Sequence, residues 1–154
     1  MAIIPIVIHP DPILRLPTDR VTEFDPTLHQ LIADMIDTMH SDRGVGLAAP
    51  QIGILKKVIV VSYKKREFAI INPEIVATYG SQWGEEGCLS IPNTRLNVQR
   101  ASRIEVIGQT PNGKSIRLKE KGFVARILQH EIDHLNGILI IDKGLQLPDE
   151  KDYQ

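Results

Sequence analysis

Residues His130-Glu131-Ile132-Asp133-His134 read H-E-x-x-H, inside a stretch made apolar by Phe123, Val124, Ile127, Leu128 and Leu135. No other feature constrains the fold as much. On a helix, positions i and i+4 share one face, so both imidazoles can reach one divalent cation. Glu131, next to the first histidine, can then lie beside a water on that cation. A solvated polar helix face with two accidental histidines is the plain alternative. The apolar flanks argue against it, because buried polar groups need partners and a metal would satisfy both rings.

A catalytic site of this kind has three protein ligands and one open position. The pattern H-E-x-x-H-x-x-G-x-x-H fails, because Gly137 fits but the last position is Ile140. The only later glutamate is Glu150, beyond Pro148 and near the chain end. The third ligand must therefore come from upstream. His9, His29 and His40 stand alone. Cys88, the one cysteine, is better placed, in a loop-like stretch with Gly84, Glu85, Glu86 and Gly87 around it. A lone cysteine is more often a small buried hydrophobe, and the flanking residues weigh against that reading.

The 154 residues suffice for one domain with one core. We expect a single catalytic domain over 1–145 and a short polar tail over 146–154. Net charge −1 gives no electrostatic reason for nucleic-acid or membrane binding. One cysteine excludes an internal disulfide and suits a reducing compartment. The apolar start is short, lacks a basic region and soon meets His9-Pro10-Asp11-Pro12, unlike a signal peptide. No apolar run approaches a membrane span.

Asp25-Pro26 starts a helix, as N-cap and first-turn proline. Leu28, Leu31, Ile32, Met35, Ile36 and Met39 follow at helical spacing, with Gly44 as the stop. A second helix is expected over about 123–136, closed by Gly137. Val58-Ile59-Val60-Val61 and Phe68-Ala69-Ile70-Ile71 read as strands. Ile104-Glu105-Val106-Ile107 and Ser115-Ile116-Arg117-Leu118 flank an Asn-Gly hairpin signal at 112–113. The order points to α+β, with antiparallel sheets packed around a central helix that carries the H-E-x-x-H motif.

Three segments, Gly44-Val45-Gly46-Leu47-Ala48-Ala49-Pro50-Gln51, Glu86-Gly87-Cys88-Leu89-Ser90 and Gln129-His130-Glu131-Ile132-Asp133-His134, resemble in order the signature motifs of peptide deformylase. His9-Pro10-Asp11-Pro12-Ile13-Leu14-Arg15 resembles that family's N-terminal segment, so the likeness runs over about 9–142. It implies one divalent metal on Cys88, His130 and His134. Fe²⁺ is the expected physiological ion, and Zn²⁺, Ni²⁺ or Co²⁺ are alternatives in purified protein. It implies removal of the formyl group from formyl-methionyl nascent chains, by attack of metal-bound hydroxide with Glu131 as general acid and base. Gln51 and the backbone N–H of Leu89 are implied as oxyanion donors. Gly44, Val45, Gly46 and Gly87 would line the peptide path. Phe123, Ile127 and the aliphatic part of Arg126 would line a methionine-sized pocket. Glu86 and Arg100 are expected to brace the cysteine loop, and Asp133 either orients His130 or His134 or meets solvent.

The resemblance further implies a monomer in the bacterial cytoplasm, free of nucleic acid and membrane. Family members can dock on the ribosome near the exit tunnel through a basic C-terminal helix. The tail here is short, acidic and broken by Pro148, so it departs from that pattern. A zincin-type protease shares H-E-x-x-H but needs a downstream third ligand. A non-catalytic relative that only recognises peptide N-termini would have no need of Glu131.

Overall fold

The computed structural model describes residues 2–146. Its elements run α1 (Pro26–Ser41), β1 (Gly46–Ala48), β2 (Val58–Tyr63), β3 (Arg66–Tyr79), β4 (Gln82–Cys88), β5 (Ile91–Arg100), β6 (Arg103–Gln109), β7 (Ser115–Lys121), α2 (Gly122–Leu135), α3 (Ile140–Lys143) and β8 (Leu145–Gln146). Two antiparallel sheets result, one of five strands in the order β1-β2-β3-β6-β7 and one of three in the order β4-β5-β8.

The unbroken apolar run of β2 has a simple cause. Successive side chains of a strand point to opposite faces, and both faces here are covered. Ile59 and Val61 pack with Ala125, Ile127, Leu128 and Ile132 of α2. Val58 and Val60 pack with Leu28, Ile32, Met35 and Met39 of α1. The central sheet thus lies between the two long helices, and α2 reaches the interior with its polar triplet on its remaining side.

Helix α1 starts as expected, the Asp25 carboxylate accepting from the Leu28 N–H at 3.0 Å. It stops at Ser41, three residues before Gly44, because Arg43 turns left-handed at φ 56°. Helix α2 ends at Leu135, and Gly137 (φ 72°) turns the chain. A Cβ at Gly137 would stand 2.9 Å from the Arg15 carbonyl oxygen, so two requirements select glycine there.

Two strands depart from the expectations. The stretch around Cys88 is not a loop but β4, paired along its length with β5, which the sequence pattern missed. The inward row of β4 includes Gly84 and Glu86 instead of aliphatics, so no alternation marks it. Strand β3 runs well past Ile71 through a bulge at Asn72, whose left-handed backbone (φ 53°) is held by side-chain bonds to both Val21 backbone groups. The expected tail over 146–154 lies outside the described residues except for Gln146, which pairs with Leu96.

An ion pair ties the N-terminal turn Pro12–Arg15 to α3, where Arg15 meets Asp142. The hydrogen bond from Arg15 outweighs burial and holds the Asp142 carboxyl below its ordinary value. A carboxyl lowered in the folded state stabilises above its unfolded value and loses that contribution as pH falls. Asp142→Asn should therefore melt lower than wild type at pH 7, with the gap closing below about pH 4. Thermal unfolding at both pH values checks this, and an equal gap at pH 3 would contradict it.

Candidate metal centre

Helix α2 supplies His130, Glu131 and His134. His130 and His134, four apart, hold their ring centroids 5.1 Å from each other. Cys88 arrives from the opposite side as the last residue of β4. The β4–β5 register breaks between Gly87 and Cys88, which re-aims the cysteine into the site. Its Sγ lies 3.4 Å from His134 Nε2. One donor atom from each of Cys88, His130 and His134 falls within 4.8 Å of the others. The other histidines considered are elsewhere: His29 bonds the Pro111 carbonyl and His40 meets Glu67.

The donor set and its loose ends fit a cation. Two imidazoles and a thiolate suit Zn²⁺ or Fe²⁺ rather than Mg²⁺ or Ca²⁺. His130 Nδ1 is engaged by Glu86 Oε1 at 2.9 Å, which leaves its other nitrogen for the cluster. A carboxylate behind a ligating imidazole is the usual way to fix its tautomer. Among the described residues, Glu131 Oε1 and His134 Nδ1 are buried without any hydrogen-bond partner.

Electrostatics point the same way. Burial alone would raise the Glu86 carboxyl, but hydrogen bonds from Arg100 and His130 overcome it and bring it to about 2. Burial works against a charged His130. The charge of Glu131, the Cys88 sulfur and Glu86 outweigh it and push the ring up to about 10. Burial and the neighbouring charges of His130 and Arg100 drive His134 far below its ordinary value. Burial lifts Glu131 to about 7 against the pull of His130.

A cleft of about 600 Å³ opens onto these residues. Gly44, Val45 and Gly46 form one wall, and Gly87, Leu89 and Gln51 another. Phe123, Arg126 and Ile127 line it from α2, Phe123 stacking on Tyr63 at 4.7 Å between ring centroids. Gln51 is buried, its Oε1 accepting from the Ala48 N–H at 3.0 Å. Its Nε2 donates to Ser90 Oγ at 3.2 Å, a contact the sequence reading did not assign. Only the place of Ser90 beside the cysteine could have drawn attention to it.

Two residues have partners other than those expected. The Arg126 guanidinium is buried and donates to Glu86 Oε2, the Val98 carbonyl (3.0 Å) and the Gln82 carbonyl (3.2 Å). Arg126 is thus an ion-pair partner as well as a cleft wall. Gly84 makes room for it, since a Cβ there would stand 2.8 Å from the guanidinium carbon. The Asp133 carboxylate pairs with Arg100 and Lys143, not with a histidine ring. It accepts from Arg100 and lies 3.1 Å from Lys143 Nζ, so it acts on His130 only through Arg100 and Glu86. Arg100 itself grips Glu86 with two bonds of 2.9 Å.

A family model described as polypeptide deformylase matches residues 3–150. A peptide deformylase of Thermodesulfovibrio yellowstonii is 46% identical over 148 residues, covering 93% of this chain and 90% of that one. The crystal structure of peptide deformylase from Thermotoga maritima superposes with a TM-score of 0.92 at 41% identity, covering 96% of this chain and 100% of that one. A class I type b peptide deformylase from Acinetobacter baumannii, solved with Met-Ala-Ser bound, gives 0.89 at 36% identity over 92% and 98% of the two chains.

Gly46 supplies the test of this geometry. A Cβ there would lie 2.6 Å from Glu131 Oε2 and 2.8 Å from Ile127 Cγ2, so the carboxylate must move. Gly46→Ala should keep the bound metal and lose on the order of 10²-fold in hydrolytic turnover, as a displacement of about 1 Å can cost. Elemental analysis with steady-state kinetics measures both, and wild-type turnover would contradict the arrangement.

Proposed function

The chain belongs to the peptide deformylase family, enzymes that remove N-terminal formyl groups, and on that premise we propose how its own residues divide the work. The observation that carries the reading is the convergence of Cys88, His130 and His134 within 4.8 Å, with the unpartnered carboxylate oxygen of Glu131 in the same cleft. These three would hold the metal, with Fe²⁺ as the physiological ion and Zn²⁺, Ni²⁺ or Co²⁺ accepted in purified protein. The ion supplies a Lewis acid and lowers the pKa of water to about 7.

The substrate is the formyl-methionyl end of a nascent chain. Among the described residues strand β1 pairs with β2 alone, which leaves its other edge for an extended peptide along Val45 and Gly46. Ile127, Phe123 and the alkyl stem of Arg126 receive the methionine side chain. Glu131 takes a proton from the attacking water. A carboxyl lifted by burial to about 7 can hold it and then pass it to the leaving amine. The Gln51 amide and the Leu89 backbone N–H stabilise the carbonyl oxygen as charge builds on it. Formate and a free N-terminus leave.

Residues 1–145 act as one catalytic unit in this reading, as a monomer in the bacterial cytoplasm. No helix among the described residues is long and apolar enough to cross a membrane. Contact with the ribosome near the exit tunnel accompanies the reading.

Formate release from a short formyl-methionyl peptide tests the assignment. The protein is stripped of metal and reloaded anaerobically with Fe²⁺, Zn²⁺ or nothing. Turnover should return with metal alone. Glu131→Ala should bind metal as wild type does and lose at least about 10²-fold in rate. Near-wild-type rates in that variant would remove Glu131 from the chemistry.

A further inference from the structure

The Gln51 side chain has four hydrogen-bonding positions, two acceptor sites on Oε1 and two N–H groups on Nε2. The Ala48 N–H occupies the oxygen at 3.0 Å. Ser90 Oγ takes one N–H at 3.2 Å. Nε2 also donates to Cys88 Sγ at 3.8 Å, a long contact that places the second N–H at the cleft beside the cysteine. The Ala48 N–H sets which way the amide faces, because a flip would turn the amide N–H₂ against that buried N–H and leave it unpaired. Ser90 is fully buried.

We propose that Ser90 is a positioning residue for the reaction, its hydroxyl fixing the Gln51 amide so that the N–H beside the Cys88 sulfur faces the reacting carbonyl. The inference rests on the deformylase reading given above. A second observation supports it independently. Ser90 and Gln51 lie 39 positions apart, and one N-terminal stretch holds both by the backbone. The Val7 N–H donates to the Gln51 carbonyl at 2.7 Å, and the His9 N–H to the Ser90 carbonyl at 2.8 Å. The spacing between amide and hydroxyl is thus set by the fold and not by the flexible side chains. If Ser90 merely filled space in the turn after Cys88, its hydroxyl would be dispensable.

A double-mutant cycle on the metal-loaded enzyme separates the two roles. Ser90→Ala should lower kcat about tenfold, the scale of one lost hydrogen bond. KM should stay within about twofold, because an interaction made chiefly in the transition state affects kcat. Gln51→Ala should lower kcat about 10²-fold, as loss of an oxyanion donor does. The double variant should be no slower than Gln51→Ala alone. Metal affinity by chelator competition should match wild type in Ser90→Ala, and Ser90→Thr, which keeps the hydroxyl, should retain turnover. An unchanged kcat in Ser90→Ala would overturn the proposal, as would multiplied losses in the double variant or weakened metal binding in Ser90→Ala. A wild-type protein that releases no formate would instead overturn the functional reading itself.

Discussion

One buried carboxylate holds the site together. A carboxylate offers about four acceptor positions, and Glu86 has all of them filled. Arg100 takes two, Arg126 one and His130 one. Arg100 closes β5 onto β4, while Arg126 and His130 anchor α2 one turn apart. Burying these charges costs several kcal/mol per ion, and only near-complete pairing offsets it. Removing one partner from such a network costs about 3–5 kcal/mol, because the remaining charge is left uncompensated. The functional consequence lies on His130. With Nδ1 committed to Glu86, the opposite nitrogen is the one that faces Cys88 and His134.

The sheet and the missing side chains do the rest. Strand β2 buries both faces, which brings α2 against one side of the five-stranded sheet and leaves the motif residues beside β1 and β4. Close approach then depends on atoms that are absent. Gly46 lets Glu131 reach the edge of β1, and Gly84 lets the Arg126 guanidinium lie on β4. Gly44 brings Leu89 within 2.9 Å of where a Cβ would stand, joining the loop before β1 to the turn after β4.

Local signals in the chain carried much of this. The Asp25-Pro26 cap, the stripe on α1, the apolar run of β2, the Asn-Gly hairpin and the H-E-x-x-H helix each follow from neighbours within a few residues. Strand β4 did not announce itself. Its inward positions hold a glycine and a glutamate, because a guanidinium and an imidazole occupy the space that aliphatic side chains would fill elsewhere. The partners of Arg126 and Asp133 were hidden for a related reason. Both depend on Glu86 or Arg100, which lie 40 and 33 positions away. Ser90 was equally silent, since a serine's hydroxyl acquires meaning only when a distant amide is brought to it.

The most direct measurement is the metal affinity of Glu86→Gln beside wild type, by chelator competition with Zn²⁺ at neutral pH. Loss of the charged carboxylate behind His130 should weaken binding by about 10–100-fold. An affinity equal to wild type would mean that His130 is held for the metal by something other than Glu86, and the account of the site would fail.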